Sequence, residues 1–318
     1  MRFLLLVSLC ALTAYAAAFW LAVPANPEVK FWRAVDLQRD EGIAGIREAR
    51  PEQPVLLFTG GSSCAFSIDP VIIEGVCGIS AFNLGLPVSA GPKFLLHQAL
   101  EKARPGDILI VCLEPDLLVH PDEFKPGGLS FSLATIGGDP SDAVGAESFG
   151  GSLEIREYLN LSRPGPSHLA TLVAKKASGT PLYRYTPADL RHHGRVETPV
   201  VDPAMPRAGV NTASALHPGA RDLLVAFRAA ADKRRVRLAY SMPWRLTAED
   251  AAAQNRKTNR AILDHIGAIM PALNDGYLGV STNPAHFSDS PLHLSAEGSS
   301  LRSLGLAKTL AVWLVSDR

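Results

Sequence analysis

Pro54-Val55-Leu56-Leu57-Phe58-Thr59-Gly60-Gly61-Ser62-Ser63 is the stretch whose reading decides the fold. A short apolar run broken at once by two glycines and two serines reads as a buried strand that turns sharply into a helix. Runs of the same kind recur at Ile79 to Asn83, Ile108 to Leu113, Val236 to Tyr240 and Tyr277 to Val280. Between them lie helical periods at Pro92 to Ala103, Ala220 to Lys233, Thr247 to Leu273 and Ser295 to Val315. Thr247 with Asp250 three residues on resembles an acidic capping box and predicts a helix start. Strands alternating with helices predict an α/β fold with a parallel sheet covered on both faces. Ligands of such sheets bind beyond the carboxyl ends of the strands, and the glycine-serine turn falls there.

A serine on that turn can expose its Oγ and leave backbone N–H groups to receive an oxyanion, which makes Ser63 the candidate nucleophile. Near the other end of the chain, Asp289-Ser290-Pro291-Leu292-His293 offers the remaining parts. His293 is the candidate general base and Asp289 its orienting carboxylate. His286 competes for the base role. Cys64 competes for the nucleophile, although its side chain would leave the turn in another direction. Acyl transfer through such a group needs neither metal nor organic cofactor, and no Cys-x-x-Cys spacing is present.

These blocks also resemble a family. Gly61-Ser62-Ser63, then Asn83-Leu84-Gly85-Leu86-Pro87, then Asp289 to His293 followed by Leu294-Ser295-Ala296-Glu297-Gly298 are similar to the first, second and last blocks of the SGNH (GDSL-like) hydrolases. The nearest branch is the bacterial, membrane-anchored one that includes alginate acetylation proteins and the D-alanyl-transfer protein of teichoic acid synthesis. The resemblance implies a flavodoxin-like three-layer α/β/α fold and an oxyanion site built from the N–H groups of Ser63, Gly85 and Val88. It implies an acyl ester or an envelope polysaccharide as substrate. The chain departs from the family at several points. Ser62 stands where the family motif has Asp, and Val88 aligns with a glycine. The third block falls near Cys112-Leu113-Glu114-Pro115-Asp116 and lacks its asparagine, and four positions instead of three separate Asp289 from His293.

At 318 residues with 47% hydrophobic content, the chain suits one main domain. Thirty-one basic and thirty-one acidic residues cancel, so no electrostatic footprint for nucleic acid exists. The uncharged run Phe3 to Val23 matches the length needed to cross a hydrocarbon core of about 30 Å, and Ala16-Ala17-Ala18 could instead be a cleavage site. The expected organisation is therefore an N-terminal transmembrane anchor or uncleaved signal over 1–23, a linker and lead-in helix over 24–50, and the catalytic domain over 51–318. That domain would sit outside the cytoplasmic membrane, tethered by a single pass. Residues 117–215, rich in Gly, Pro and Ser, read as an irregular insertion with helices at Ser152 to Asn160 and Ser167 to Lys176. It would be a lid over the site or a surface excursion. Cys64 and Cys77 are spaced for a bridge, His192-His193 reads as solvated surface, and Trp244 either lines the site or packs. The functional expectation is an exported esterase or O-acyltransferase. A catalytically silent glycan-binding module, or a protein with envelope-assembly partners, stands as the alternative.

Overall fold

The structure, a computed structural model, describes residues 2–25, 27–120, 166–198, 202 and 204–316, without the side chains of 15–25, 166–169, 172 and 192. Helices α1 (Arg2–Ala25) and α2 (Pro27–Ala49) precede strand β1 (Leu56–Gly60). Next come α3 (Ser62–Ser67), α4 (Pro70–Cys77), β2 (Ala81–Asn83), α5 (Pro92–Lys102), β3 (Ile108–Cys112) and α6 (Asp116–Val119). Beyond residue 165 follow α7 (Pro166–Ala177), α8 (Pro218–Lys233), β4 (Arg237–Ser241), β5 (Arg245–Leu246), α9 (Glu249–Gly267) and β6 (Ala272–Leu273). The chain continues through β7 (Val280–Ser281), β8 (Phe287–Ser290) and β9 (His293–Leu294) to α10 (Ala296–Ser316).

Five parallel strands form the central sheet in the order β2-β1-β3-β4-β6. This is the flavodoxin-like order, with its switch point between β1 and β3. Every residue of β1 and β3 is buried because both faces are covered, which is why these strands read as continuous apolar runs and not as alternating ones. Alternate strand residues nevertheless serve different layers. Leu57, Leu109, Val111 and Tyr240 pack with Phe31 of α2, Leu95 of α5, Phe227 of α8 and Ile262 of α9. Leu56, Phe58, Ile108 and Ile110 pack with Ile73 of α4 and Leu306, Leu310 and Leu314 of α10. Each such side chain contributes about 1.5–3 kcal/mol when fully buried.

Local chemistry places the helix ends. Asp69 caps α4 by accepting from the Val71 N–H at 3.0 Å, Pro70 supplies the first turn, and Gly78 closes the helix in the left-handed region at φ 68°. The long period expected from Thr247 to Leu273 is corrected at both ends. Its N-cap is Ala248, while Thr247 Oγ1 donates to the Arg245 carbonyl at 3.2 Å. Its end comes at Gly267, because Pro271 cannot continue a helix. The residues after Pro271 become the fifth sheet strand, with Ala272 opposite Tyr240. The run at Tyr277 to Val280 is corrected likewise, since only Val280–Ser281 is strand and it pairs with β5 outside the central sheet.

The lead-in helix expected within 24–50 is α2, Pro27–Ala49. Helix α2 runs unbroken over 23 residues and buries Phe31, Trp32, Val35 and Ile43 against the sheet. The expected transmembrane anchor and single-pass localisation are corrected as well. Among the described residues no helix is long and apolar enough to cross a membrane. Within the insertion, α7 matches the expected helix at 167–176, while the one expected at 152–160 lies outside the described residues.

Candidate functional site

The turn after β1 is forced by close approach. A Cβ on Gly60 would stand 2.2 Å from the Cys112 carbonyl oxygen of β3, and a Cβ on Gly61 would stand 2.2 Å from Glu114 Oε1. Only glycines let β1 end this close to β3 and enter α3 at once. Gly61 is the N-cap, so Ser62 is the first helical residue.

The hairpin β8–β9 brings the other groups in. Phe287 and Leu294 are buried in a small cluster with Trp244 and Leu246, which holds the hairpin to the body. Ser288 Oγ donates to the His293 carbonyl at 3.2 Å. His293 Nδ1 then lies 2.9 Å from Asp289 Oδ1, and His293 Nε2 lies 2.9 Å from Ser62 Oγ. Because a carboxylate only accepts, Nδ1 carries the proton and Nε2 is free to take one from the serine hydroxyl. Phe66 of α3 stacks on the imidazole at 4.1 Å between centroids, which fixes the ring plane.

The serine facing the histidine is Ser62, and the expectation for Ser63 is corrected. Ser62 is half-buried, whereas Ser63 is 0% exposed and its Oγ makes no hydrogen bond among the described residues. The physical reason is helical geometry: adjacent residues diverge by about 100° around the axis, so only one of two neighbouring serines can face His293. Asp289 and His293 meet as expected.

Of the three expected oxyanion donors, two are engaged elsewhere. The Ser63 N–H donates to Glu114 Oε1 at 3.2 Å, and the Gly85 N–H donates to Asn83 Oδ1 at 2.9 Å. Gly85 is glycine for another reason, since a Cβ there would lie 2.3 Å from the Ala65 nitrogen. Val88 opens a short 3-10 turn and is partly exposed, with the left-handed conformation falling on Gly91 at φ 81°.

Two residues unforeseen from sequence complete the cluster. Tyr185 OH donates to Asp289 Oδ2 at 2.7 Å and stands 3.2 Å from His293 Nδ1; Arg184 Nη1 donates to the same Oδ2 at 2.9 Å. Tyr185 packs on Phe66 at 5.1 Å and on Phe31 of α2 at 5.7 Å, so its phenol is aimed by the aromatic wall between α2 and α3. The one signal in the sequence was Tyr183-Arg184-Tyr185, two of only six tyrosines gathered around a cation. Burial alone would raise the Asp289 carboxyl, but the hydrogen bonds and charge of His293, with Arg184 and Tyr185, outweigh it and hold the group well below its ordinary value. Burial, aided by Asp289, pushes the Tyr185 phenol up, and the bond to Asp289 raises the Arg184 guanidinium. At neutral pH the cluster therefore holds an ionised Asp289, a neutral phenol and a charged Arg184.

The other candidates lie apart. His286 Nδ1 bonds Ser281 Oγ at 2.9 Å, and Trp244 is fully buried with its Nε1 donating to Asp275 Oδ2 at 2.5 Å, so it packs. His193 is not simply solvated: its ring stacks on Phe82 and its Nδ1 lies 3.1 Å from the Ala81 carbonyl. Cys64 and Cys77 are free thiols. The Cys64 Sγ points to Asn83 Oδ1 at 3.7 Å, away from His293, and burial pushes that thiol well above its ordinary value. Among the described residues no cluster of three or more His, Cys, Asp or Glu could hold a metal ion. Neither a protein-family model nor a curated protein matches this chain.

Proposed function

We propose that this chain is a serine-dependent esterase or O-acyltransferase of the SGNH-like kind, with Ser62 as nucleophile, His293 as general base and Asp289 as its orienting carboxylate. One observation carries the reading: a single imidazole hydrogen-bonded at one nitrogen to a serine hydroxyl and at the other to a buried carboxylate, both at 2.9 Å. That relay is what nucleophilic catalysis by serine requires. His293 Nε2 takes the Ser62 proton as Oγ attacks an ester carbonyl. Asp289 holds the imidazolium that forms, and the same proton passes to the leaving alkoxide as the ester C–O bond breaks. Water or a second hydroxyl, deprotonated by His293, then resolves the acyl-enzyme, so hydrolysis and transfer differ only in the acceptor. The substrate class is an acyl ester.

The test compares Ser62→Ala with Ser63→Ala in hydrolysis of an activated acetyl ester and in covalent labelling by a fluorophosphonate. Ser62→Ala should abolish both. Ser63→Ala should stay within about tenfold of the parent, as expected for a group outside the proton relay. Labelling that survives in Ser62→Ala and vanishes in Ser63→Ala would reverse the assignment. The engaged N–H groups of Ser63 and Gly85 favour a second reading, a silent glycan-binding module. Absence of labelling in the parent protein, together with binding of a neutral oligosaccharide, would select it.

A further inference from the structure

The hydroxyl of Tyr185 stands between the two groups that prepare the serine for attack. Its oxygen is 2.7 Å from Asp289 Oδ2 and 3.2 Å from His293 Nδ1. The phenol has one proton to place, and burial with the nearby Asp289 charge keeps that proton on it at neutral pH. An ionised carboxylate can only accept, so the proton goes to Oδ2 and the oxygen turns its lone pairs toward Nδ1. There it accepts from Nδ1–H beside Asp289 Oδ1, which lies at 2.9 Å. Phenol, carboxylate and imidazole thus close a ring of hydrogen bonds at the nitrogen that does not face Ser62. Among the described residues no hydrogen bond joins Tyr185 to Ser62, so the phenol moves no proton to or from the serine.

That ring of bonds decides what the stack on Phe66 leaves open. Stacking at 4.1 Å and 12° fixes the imidazole plane but is blind to a half-turn about the Cβ–Cγ bond, which keeps the plane and exchanges Nδ1 with Cδ2 and Nε2 with Cε1. A ring so turned presents carbon to Ser62 Oγ, and both Asp289 Oδ1 and the phenol oxygen lose their donor. Resting on the proposed function, we propose that Tyr185 is a positioning residue of the relay: it ties the Asp289 carboxylate to the Nδ1–H edge of His293, so that Nε2 stays on Ser62 Oγ.

The phenol is seated by elements outside the hairpin. Tyr185 packs on Phe66 of α3 and on Phe31 of α2, and Tyr183 meets it edge-on at 5.4 Å between centroids. Trp32 Nε1 of α2 donates in turn to the Tyr183 hydroxyl at 2.9 Å, and both Phe31 and Trp32 are buried. Helix α2 and residues 183–185 therefore belong to the catalytic apparatus, although none of these side chains contacts the serine. Arg184 reaches the same Oδ2 but is half exposed, so water can take its place. Tyr185, held in the aromatic wall, is the steadier of the two donors.

The experiment uses the whole chain with Tyr185→Phe, which keeps the aromatic ring and its packing and removes only the hydroxyl. The first readout is the Nδ1 proton of His293, followed by NMR. Loss of one bond to a charged group should make that proton exchange with solvent about tenfold faster than in the parent. This readout needs no activity, so it stands apart from the acyl-transfer reading. An unchanged exchange rate overturns the proposal. The second readout is ester hydrolysis, where kcat should fall about tenfold with KM unchanged. In an Asp289→Ala background the same substitution should change kcat by less than about twofold, because the ring of hydrogen bonds is already broken there. An equal loss in both backgrounds would mean that the hydroxyl serves the fold alone, and a parental kcat in Tyr185→Phe would mean that it serves nothing in the reaction. Either result overturns the proposal. If Ser62→Ala still hydrolyses the ester, the acyl-transfer reading has failed, and the exchange rate still decides whether the phenol holds the Nδ1 edge.

Discussion

Asp289→Asn is the substitution for which the geometry makes the sharpest demand. The carboxylate accepts from His293 on Oδ1 and from both Tyr185 and Arg184 on Oδ2. An asparagine can be seated in two ways. With its oxygen toward His293, the reactive tautomer survives, but the amide NH2 then faces Arg184, which cannot accept. With its oxygen toward Tyr185 and Arg184, every partner is satisfied, but the NH2 donates to Nδ1, and the imidazole proton moves to Nε2, where it blocks proton abstraction from Ser62. The second seating is favoured by the retained bond to a charged group, worth about 1.5–3 kcal/mol at most. Arg184 is half exposed and can swing into water, which argues for the low end. At about 1.4 kcal/mol per decade, that is a loss of about tenfold in competent tautomer. The missing negative charge opposite the imidazolium brings the total to about 10²–10⁴ in kcat with KM little changed. Nitrogen chemical shifts of His293 would report the tautomer, and ester hydrolysis the rate. Removing Arg184 from the variant, as Asp289→Asn with Arg184→Ala, should restore part of the lost activity. An Asp289→Asn protein that turns over near the parental rate, with Nδ1 still protonated, would refute the reasoning.

Two further outcomes follow from the same contacts. Phe66→Ala removes a fully buried ring and should cost about 3–5 kcal/mol of stability by denaturant melt. Loss of the stack on His293 should also lower kcat/KM by up to about tenfold, since such a contact is worth about 0.5–1.5 kcal/mol. The folded Asp289 carboxyl is held below its ordinary value, so its stabilisation is complete above the unfolded value of about 3.9 and fades as pH falls toward the folded one. The difference in Tm between the parent and Asp289→Asn should accordingly shrink below about pH 4. A gap that widens there would mean the carboxyl is not paired in the folded state.

Much of this could be read before any tertiary structure. The apolar run to Phe58 and the Gly60-Gly61 break gave the strand and its turn because both are local: burial on two faces needs an unbroken apolar run, and a close backbone approach needs glycine. Asp289 and His293 were legible because they sit in one hairpin. The fifth sheet strand was not, since Ala272–Leu273 is too short to display a period and takes its strand character from pairing with Tyr240 and Ser241. The choice between Ser62 and Ser63 was decided only in three dimensions, by where the hairpin carries the imidazole, 231 positions along the chain from the serine it meets. Tyr185 and Arg184 were invisible for the same reason, reaching Asp289 across 104 and 105 positions. Sequence records which groups are present and which way the backbone must bend locally. The direction of each side chain, and hence the partner of each titratable group, comes from the packing of sheet, hairpin and insertion against one another.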